Sequence, residues 1–498
     1  LAANLLKSGF RGPVWPVNPK HKEIAGSRTF RDVTDLPEAP DLAVICTPPD
    51  VVPGIIDHLG GRGTRAAVVI SAGFGEGGDS HGEQLRAAMQ AAAKPHQLRI
   101  VGPNCLGVLV PAIGLNASFA HLTPGRGGIA FVAQSGAIVT SVMDWAHGRG
   151  IGFSHLVSLG DMADVDFGDM LDFLASEGGT SAILLYVEAV TQARKFMSAA
   201  RAAARMKPVI VVKAGRYAEG ARAAASHTGA LAGADVVYDA AFRRAGMLRV
   251  LTLEELFDAV QTLALVRPPR GDRLAILTNG GGIGVLATDA LIGWGGRLAE
   301  LSPSTLDALD AVLPRSWSRA NPVDIVGDAP ASRYTDALPI VRKDRGVDAV
   351  LVLNCPTAVT SPADAARAVA DAVGSGWGPP VLTSWVGDGT AEQGRRIFSE
   401  SRLPTYDTPE QAVRAFMYLV EYRRSQDVLM ETPPSAPEDF IPDLERARAP
   451  VEQALATGKS WLTEPEAKQA ISAFGVPVVT TRTAATPEDA AARAAELG

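Results

Sequence analysis

The chain has 498 residues, 47% of them hydrophobic and 20% charged, which is an ordinary globular composition with room for about three domains. A net charge of −7 with no long basic run excludes a general nucleic-acid binder. The three cysteines, Cys46, Cys105 and Cys355, are too far apart for a disulfide framework or a zinc-type ligand set, and no apolar stretch reaches the ~20 residues of a membrane helix, so a cytoplasmic protein is expected.

Residues 1–112 alternate short apolar runs with helical or loop segments. PVWPV (13–17), LAVICT (42–47), AAVVISA (66–72) and RIVG (99–102) read as buried parallel strands of a doubly wound α/β domain. A second α/β domain is expected over 113–267. Its strands are GGIAFVA (127–133), HLVSLG (155–160), SAILLYVE (181–188) and PVIVVKA (208–214), with helices over 137–148, 194–206 and the LTLEELFDAVQTLAL stretch. Pro268 to Gly271 mark its end. A third α/β domain, 268–425, takes RLAILT (273–278), RLAEL (297–301), AVLVLN (349–354) and PPVLTSW (379–385) as strands and closes with a helix over 408–422. Residues 426–455 read as a linker. Residues 456–498 open a further domain, in which TEPEAKQAISAFGVPVV (463–479) predicts a helix and then a strand.

In open α/β sheets ligands bind at the carboxyl ends of strands, and four such places carry candidate chemistry. In AFVAQSGAIV a strand runs straight into a helix at Gln134, Ser135 and Gly136, where free N–H groups attract a phosphate; a plain turn with Ser135 as N-cap gives the same pattern. In LTNGGGIG, Asn279, Gly280, Gly281 and Gly282 form a second strand-to-helix turn open to an anion, or a tight packing turn. His227 stands among small residues at the head of a helical pattern, where an imidazole has room to receive a bulky group; a structural histidine fits as well. Glu188 ends an apolar strand and could orient an imidazole, or lie at a solvated rim. The first domain adds four Gly/Pro/Asn-rich loops at strand ends, VNPK, CTPPD, SAGFGE and GPNCLG, which together would line one face of the sheet for a nucleotide-like cofactor.

The order of VNPK, TPP, SAGFGE, GPNCLG, QSGA, SLGDMAD, YVE, SHTGALAG, TNGGGIG and NPVD resembles the acyl-CoA synthetases that form ADP, the family of acetate–CoA ligase (ADP-forming) and a relative of succinyl-CoA synthetase. The resemblance implies a Rossmann-like CoA-binding domain, two flavodoxin-like ligase domains and the start of an ATP-grasp domain. It implies that His227 is transiently phosphorylated and that Glu188 steadies it. Ser135 and Gly136, with Asn279 to Gly282, would head two helices that hold the phosphate. Asn18, Lys20, Thr47, Pro48, Ser71, Gly73 and Asn104 would lie in CoA-binding loops, and the NPVD loop near the phosphate. The implied reaction is reversible: acyl-CoA, phosphate and ADP give a carboxylic acid, CoA and ATP through an acyl phosphate and a phosphohistidine. CoA, ATP or ADP and Mg²⁺ are the implied cofactors, acetate the default acid, and an oligomer is expected.

Two departures limit that resemblance. The family's opening strand and Gly-rich CoA loop are absent before Leu1, and only the beginning of the ATP-grasp domain is present. The chain therefore reads as a fragment that depends on a continuation or a partner subunit for its nucleotide chemistry. The alternatives are a lysine acetyltransferase with a ligase-like CoA-sensing region, or a non-catalytic CoA-binding module.

Overall fold

The computed structural model describes residues 1–222, 234–374, 378–431 and 441–497. Residues Leu1–Met430 form one compact unit and Glu431–Gly498 a second. Besides a two-stranded antiparallel ribbon, Glu23–Ile24 with Ser27–Arg28, the first unit carries three larger sheets in chain order, each with parallel strands wrapped by helices, as the apolar runs require: a strand covered on both faces reads as a near-continuous hydrophobic segment.

In the first sheet β1 (Leu42–Ile45), β2 (Ala66–Val69) and β3 (Arg99–Val101) lie side by side and parallel. Helices Val52–Arg62 and Ser80–Ala93 seal Ile45, Val69 and Ile100 with Ile56, Leu59 and Met89. The expected strand at 13–17 does not form. Only Val17 makes a bridge, to Phe30, because Pro13 and Pro16 have no N–H to give a ladder.

The second sheet has seven strands in the order β10-β9-β8-β6-β7-β4-β5. These are β4 (Gly107–Val110), β5 (Leu115–Ser118), β6 (Arg126–Ala133), β7 (Phe153–Ser158), β8 (Ala182–Val187), β9 (Val209–Lys213) and β10 (Leu248–Val250). Alternate residues face opposite cores. Ala130, Val132, Leu185 and Val211 meet Leu171, Phe196, Ala200 and Phe242 on one side. Phe131, Leu184, Ile210 and Val212 meet Val139, Met143, Leu256 and Phe257 on the other. The antiparallel β4–β5 hairpin belongs to this sheet through β7, so the division expected at residue 112 falls inside the hairpin.

The third sheet runs β12-β11-β14-β15-β16, with β13 pairing the end of β11. Its strands are β11 (Arg273–Thr278), β12 (Arg297–Leu298), β13 (Val323–Asp324), β14 (Ala349–Asn354), β15 (Val381–Trp385) and β16 (Thr405–Tyr406), all parallel. The RLAEL run pairs over two residues only. The helix expected over 408–422 extends from Pro409 to Met430, because its buried face continues. Ala412, Val413 and Phe416 seal the third sheet, while Tyr418 and Leu429 reach the two cores of the second. Arg414 to Asp258 at 2.9 Å and Arg424 to Asp272 at 2.8 Å add ion pairs along the same helix.

In the second unit, helices cover Leu444–Ala456, Glu464–Ser472 and Pro487–Leu497. Residues 444–455, expected as linker, are helical, with the Asp443 carboxylate accepting from the Arg446 N–H at 3.0 Å as an N-cap. The strand expected near 476–479 is not formed; the described residues of this unit include no other strand to share its hydrogen bonds. Among the described residues no helix is long and apolar enough to cross a membrane.

Asn321, at the start of the NPVD loop, ties the third sheet together. Its Oδ1 accepts from the Ile276 N–H at 2.9 Å, and its Nδ2 donates to the carbonyls of Leu274 and Ala299, each at 2.9 Å. Asn321→Ala should lower stability by ~2 kcal/mol or more, since buried backbone groups lose their partners; a denaturation midpoint equal to the parent's would refute this assignment.

Candidate functional site

Gln134 and Ser135 alone separate β6 from helix α1 (Gly136–His147). Gln134 is buried and reaches across to the end of β8. Its Oε1 accepts from the backbone N–H of Glu188 at 2.6 Å and of Ala189 at 2.8 Å. Its own N–H donates to the Tyr186 carbonyl, and its carbonyl accepts from the Gly160 N–H at 3.1 Å. One residue thus fixes the turn before α1, the end of β8 and the loop after β7. Ser135 is the N-cap of α1, accepting from the Ile138 N–H at 3.4 Å. A Cβ on Gly136 would stand 3.0 Å from Leu106, so the turn is packed against the GPNCLG loop. The first-turn N–H groups of α1 lie beyond the reach of the intrahelical ladder.

Glu188 is buried, not a solvated rim residue. Val187, the residue before it on β8, is in register with Lys213 on the neighbouring strand β9, and the Ala214 N–H donates to the Val187 carbonyl at 2.9 Å. Lys213 is itself 2% exposed. Burial pushes its ammonium below the ordinary lysine range; Asp235 opposes this, Arg249 adds to it, and Glu188 opposes it. Burial and then the charge of Glu188 push the Tyr186 phenol up.

The first-domain loops join this arrangement through the SLGDMAD loop. Ser71 Oγ donates to the Thr47 carbonyl at 2.5 Å, the Asn104 N–H donates to the Ser71 carbonyl at 2.9 Å, and Asn104 Nδ2 donates to Asp161 at 3.3 Å. Asp161 and Ala163 donate back to the carbonyls of Pro103 and Gly102. Burial, with the neighbouring Glu76 carboxylate, pushes the Asp161 carboxyl up to about 6. Glu76 accepts from the Gly73 and Phe74 N–H groups at 2.9 and 2.7 Å. Gly73 has φ +101°, and a Cβ there would stand 3.0 Å from Pro49. The Thr47 hydroxyl is buried without a hydrogen-bond partner. Pro48 heads the short 3₁₀ turn Pro49–Val51. Asn18 closes its own turn, accepting from the Lys20 and His21 N–H groups, and Lys20 is exposed.

On the third sheet helix α2 (Gly281–Gly293) starts at the end of β11 with Gly280 as N-cap and no side-chain cap. Asn279 faces away from such a role: its Nδ2 donates to the Cys355 carbonyl at 2.9 Å and its Oδ1 accepts from the Cys355 N–H at 2.8 Å. A Cβ on Gly280 would stand 2.6 Å from Cys355 Sγ, and one on Gly281 would be 3.1 Å from Asp324 Oδ2, while Gly282 has open space. The NPVD loop therefore does bring its carboxylate to the first turn of α2.

His227 lies outside the described residues, between Arg222 and Ala234. Sequence reasoning missed Gln134 as the tie between strand ends, and missed Lys213 and the Glu76–Asp161 pair. Lys213 carried the signal that drew attention to Glu188: a charge ending an apolar strand. Gln134→Leu leaves two buried N–H donors unpaired, and should cost about 3 kcal/mol; chemical denaturation of the two proteins side by side measures it, and an unchanged midpoint would contradict the tie.

Comparison with known proteins agrees with this order of parts. Family models match as a CoA binding domain over 1–111, a succinyl-CoA ligase like flavodoxin domain over 126–263, a ligase-CoA domain over 274–430 and an ATP-grasp domain over 453–498. Acetate–CoA ligase [ADP-forming] I of Archaeoglobus fulgidus is 39% identical over 94% of this chain and 66% of its own length. The alpha subunit of acetate–CoA ligase [ADP-forming] I of Pyrococcus furiosus is 37% identical over 84% of this chain and 92% of its own. The structure of the dinucleotide forming acetyl-coenzyme A synthetase 1 of Ca. Korarchaeum cryptofilum, in complex with phosphate and ADP, superposes with a TM-score of 0.78 at 37% identity, covering 87% of this chain and 94% of that one. The chain spans 66% of the length of the first curated relatives it matches. It belongs to the ADP-forming acyl-CoA synthetases, the family of acetate–CoA ligase (ADP-forming).

Proposed function

We propose that this chain is the CoA-ligase portion of an acid–thiol ligase that interconverts acyl-CoA, phosphate and ADP with a carboxylic acid, CoA and ATP, acetate being the default acid. The observation that carries the reading is the Gln134 tie, which holds a buried carboxylate, Glu188, against the turn that opens α1.

In the first step a phosphate oxygen attacks the thioester carbonyl. The C–S bond breaks, CoA leaves as the thiol, and an acyl phosphate forms. The first turns of α1, at Ser135 and Gly136, and of α2, at Gly280 to Gly282, are suited to hold the phosphate by backbone N–H groups. Asn279 contributes by fixing the α2 turn to Cys355 with its side-chain amide, which is thereby engaged away from the phosphate. In the second step an imidazole nitrogen of His227 attacks phosphorus and the carboxylate departs. Glu188, as an anion, orients the imidazole and balances its developing positive charge. Positioning and fixed charge dominate such a transfer.

The CoA role of Thr47, Pro48, Ser71, Gly73 and Asn104 is supported by their linked loops and by the orphaned Thr47 hydroxyl; for Asn18 and Lys20 it rests on the family pattern. The phosphoryl group then passes to ADP at an ATP-grasp part, in the same protein or a partner subunit. Among the described residues no group of three or more His, Cys, Asp and Glu is placed to hold a metal ion; Mg²⁺ would accompany the nucleotide at the ATP-grasp part.

His227→Ala in the full-length protein should lower ATP formation from acetyl-CoA, phosphate and ADP by about 10³-fold or more. Phosphate-dependent release of CoA in a single turnover should survive, because the first step does not use the imidazole. ATP formation at the parent's rate would overturn the proposal.

A further inference from the structure

We propose that the loop after β7, residues 159–165, is a strap that sets the CoA-side loops against the turn before α1, and that Asp164, gripped by Arg99, is the positioning residue that pins it. The inference rests on the reading of the site given above. A thioester held by the first domain must meet a phosphate held by the next, so the rate of acyl transfer depends on how firmly the two are joined.

The strap touches both sides. At its start the Leu159 N–H donates to the Ala133 carbonyl at 2.8 Å and the Gly160 N–H to the Gln134 carbonyl at 3.1 Å. The next N–H, that of Asp161, donates to the Pro103 carbonyl at 3.0 Å. The chain thus crosses from the turn before α1 to the GPNCLG loop between consecutive residues. It then runs along β3, where the N–H groups of Ala163 and Val165 donate to Gly102 and Ile100, each at 3.0 Å. Its side chains divide between two cores: Leu159, Met162 and Val165 enter the core of the second sheet, and Ala163 packs on that of the first. The crossing is tight. Gly160 has φ +55°, and a Cβ there would stand 2.1 Å from the Pro103 carbonyl oxygen. Met162 holds a left-handed φ of +51°, a strain that persists only where contacts on both sides impose it.

Asp164 secures the far end. Its Oδ2 accepts from the Ile100 N–H at 2.8 Å and from Arg99 Nε at 2.9 Å, and its Oδ1 accepts from Arg99 Nη2 at 3.0 Å. The carboxylate therefore stands where a further strand would place a carbonyl, and covers the edge of the first sheet. Arg99 also reaches Asp169 at 3.2 Å, in the helix Phe167–Ser176, and Lys195 holds Asp169 from the other side at 2.6 Å. From the helix Ser80–Ala93, Arg86 donates to the Asp161 carbonyl at 2.9 Å and Gln90 to that of Ala163. The Arg99–Asp164 pair is partly exposed, so its loss should cost little stability while freeing the strap at one end.

The test compares the full-length parent with Asp164→Ala, Arg99→Met and the double variant in three measurements. These are the acid-labile phosphoenzyme formed from ATP, which does not use the CoA loops; the dissociation constant for CoA by calorimetry; and the single-turnover rate at which pre-formed phosphoenzyme, mixed with acetate and saturating CoA, gives acetyl-CoA. A loosened strap should leave the first two within about twofold of the parent and slow the third by about 10-fold or more in each single variant. The double variant should be no slower than the singles, because the two side chains act as one pair. A turnover rate within about twofold of the parent's in Arg99→Met overturns the proposal, even should Asp164→Ala not fold. An equal fall in phosphoenzyme, or a loss confined to CoA affinity, also overturns it, since each marks a defect other than positioning. Phosphoenzyme label that persists in His227→Ala would overturn the phosphohistidine reading instead, which separates the two failures.

Discussion

The amide of Gln134 is the contact on which the candidate site depends. A parallel sheet leaves the carboxyl ends of its strands free to splay, because the ladder stops where the side chains of the site begin. Gln134 closes that gap by giving one acceptor to two N–H groups beyond β8, while its backbone binds β8 and the loop after β7. Three strand ends and the start of α1 therefore move together. Without that tie Glu188 would be a buried carboxylate with no fixed relation to the turn where a phosphate would sit.

The rest of the first unit supplies surfaces around this point. The cis-peptide loop Gly102–Pro103 is stitched to the SLGDMAD loop by backbone hydrogen bonds, which carries the first-domain loops up to the Gln134 turn. The helix Pro409–Met430 lies against both later sheets and seals cores in each. Fixed relations of this kind are what phosphoryl chemistry needs, since it gains most from positioning and preset charge.

Much of this was legible in the sequence, for definite reasons. Runs such as AILLYV and VIVVK have no polar face, so only a strand covered on both sides can use them. Glu188 breaks that rule at a strand end and is buried; Lys213 breaks it in the same way and was passed over. Other features were not legible because they depend on partners far along the chain. Nothing near Asn279 says that its amide will be consumed by Cys355, or that Gly280 is glycine because a sulfur lies beside it. PVWPV has the apolar content of a strand, yet its prolines remove the donors that pairing needs. The VPVV stretch likewise has the composition of a strand, and composition cannot supply a neighbour. His227 was found by motif and family resemblance, and it lies outside the described residues.

The central claim is that the phosphoryl group rests on His227, and locating it chemically tests that most directly. The full-length protein would be incubated with acetyl-CoA and phosphate, digested under mildly basic conditions, and its phosphopeptides fragmented in a mass spectrometer. The account predicts an acid-labile, alkali-stable phosphoryl group on the peptide that contains His227. An alkali-labile acyl phosphate on Glu188, or a phosphoryl group on any other side chain in place of His227, would contradict it.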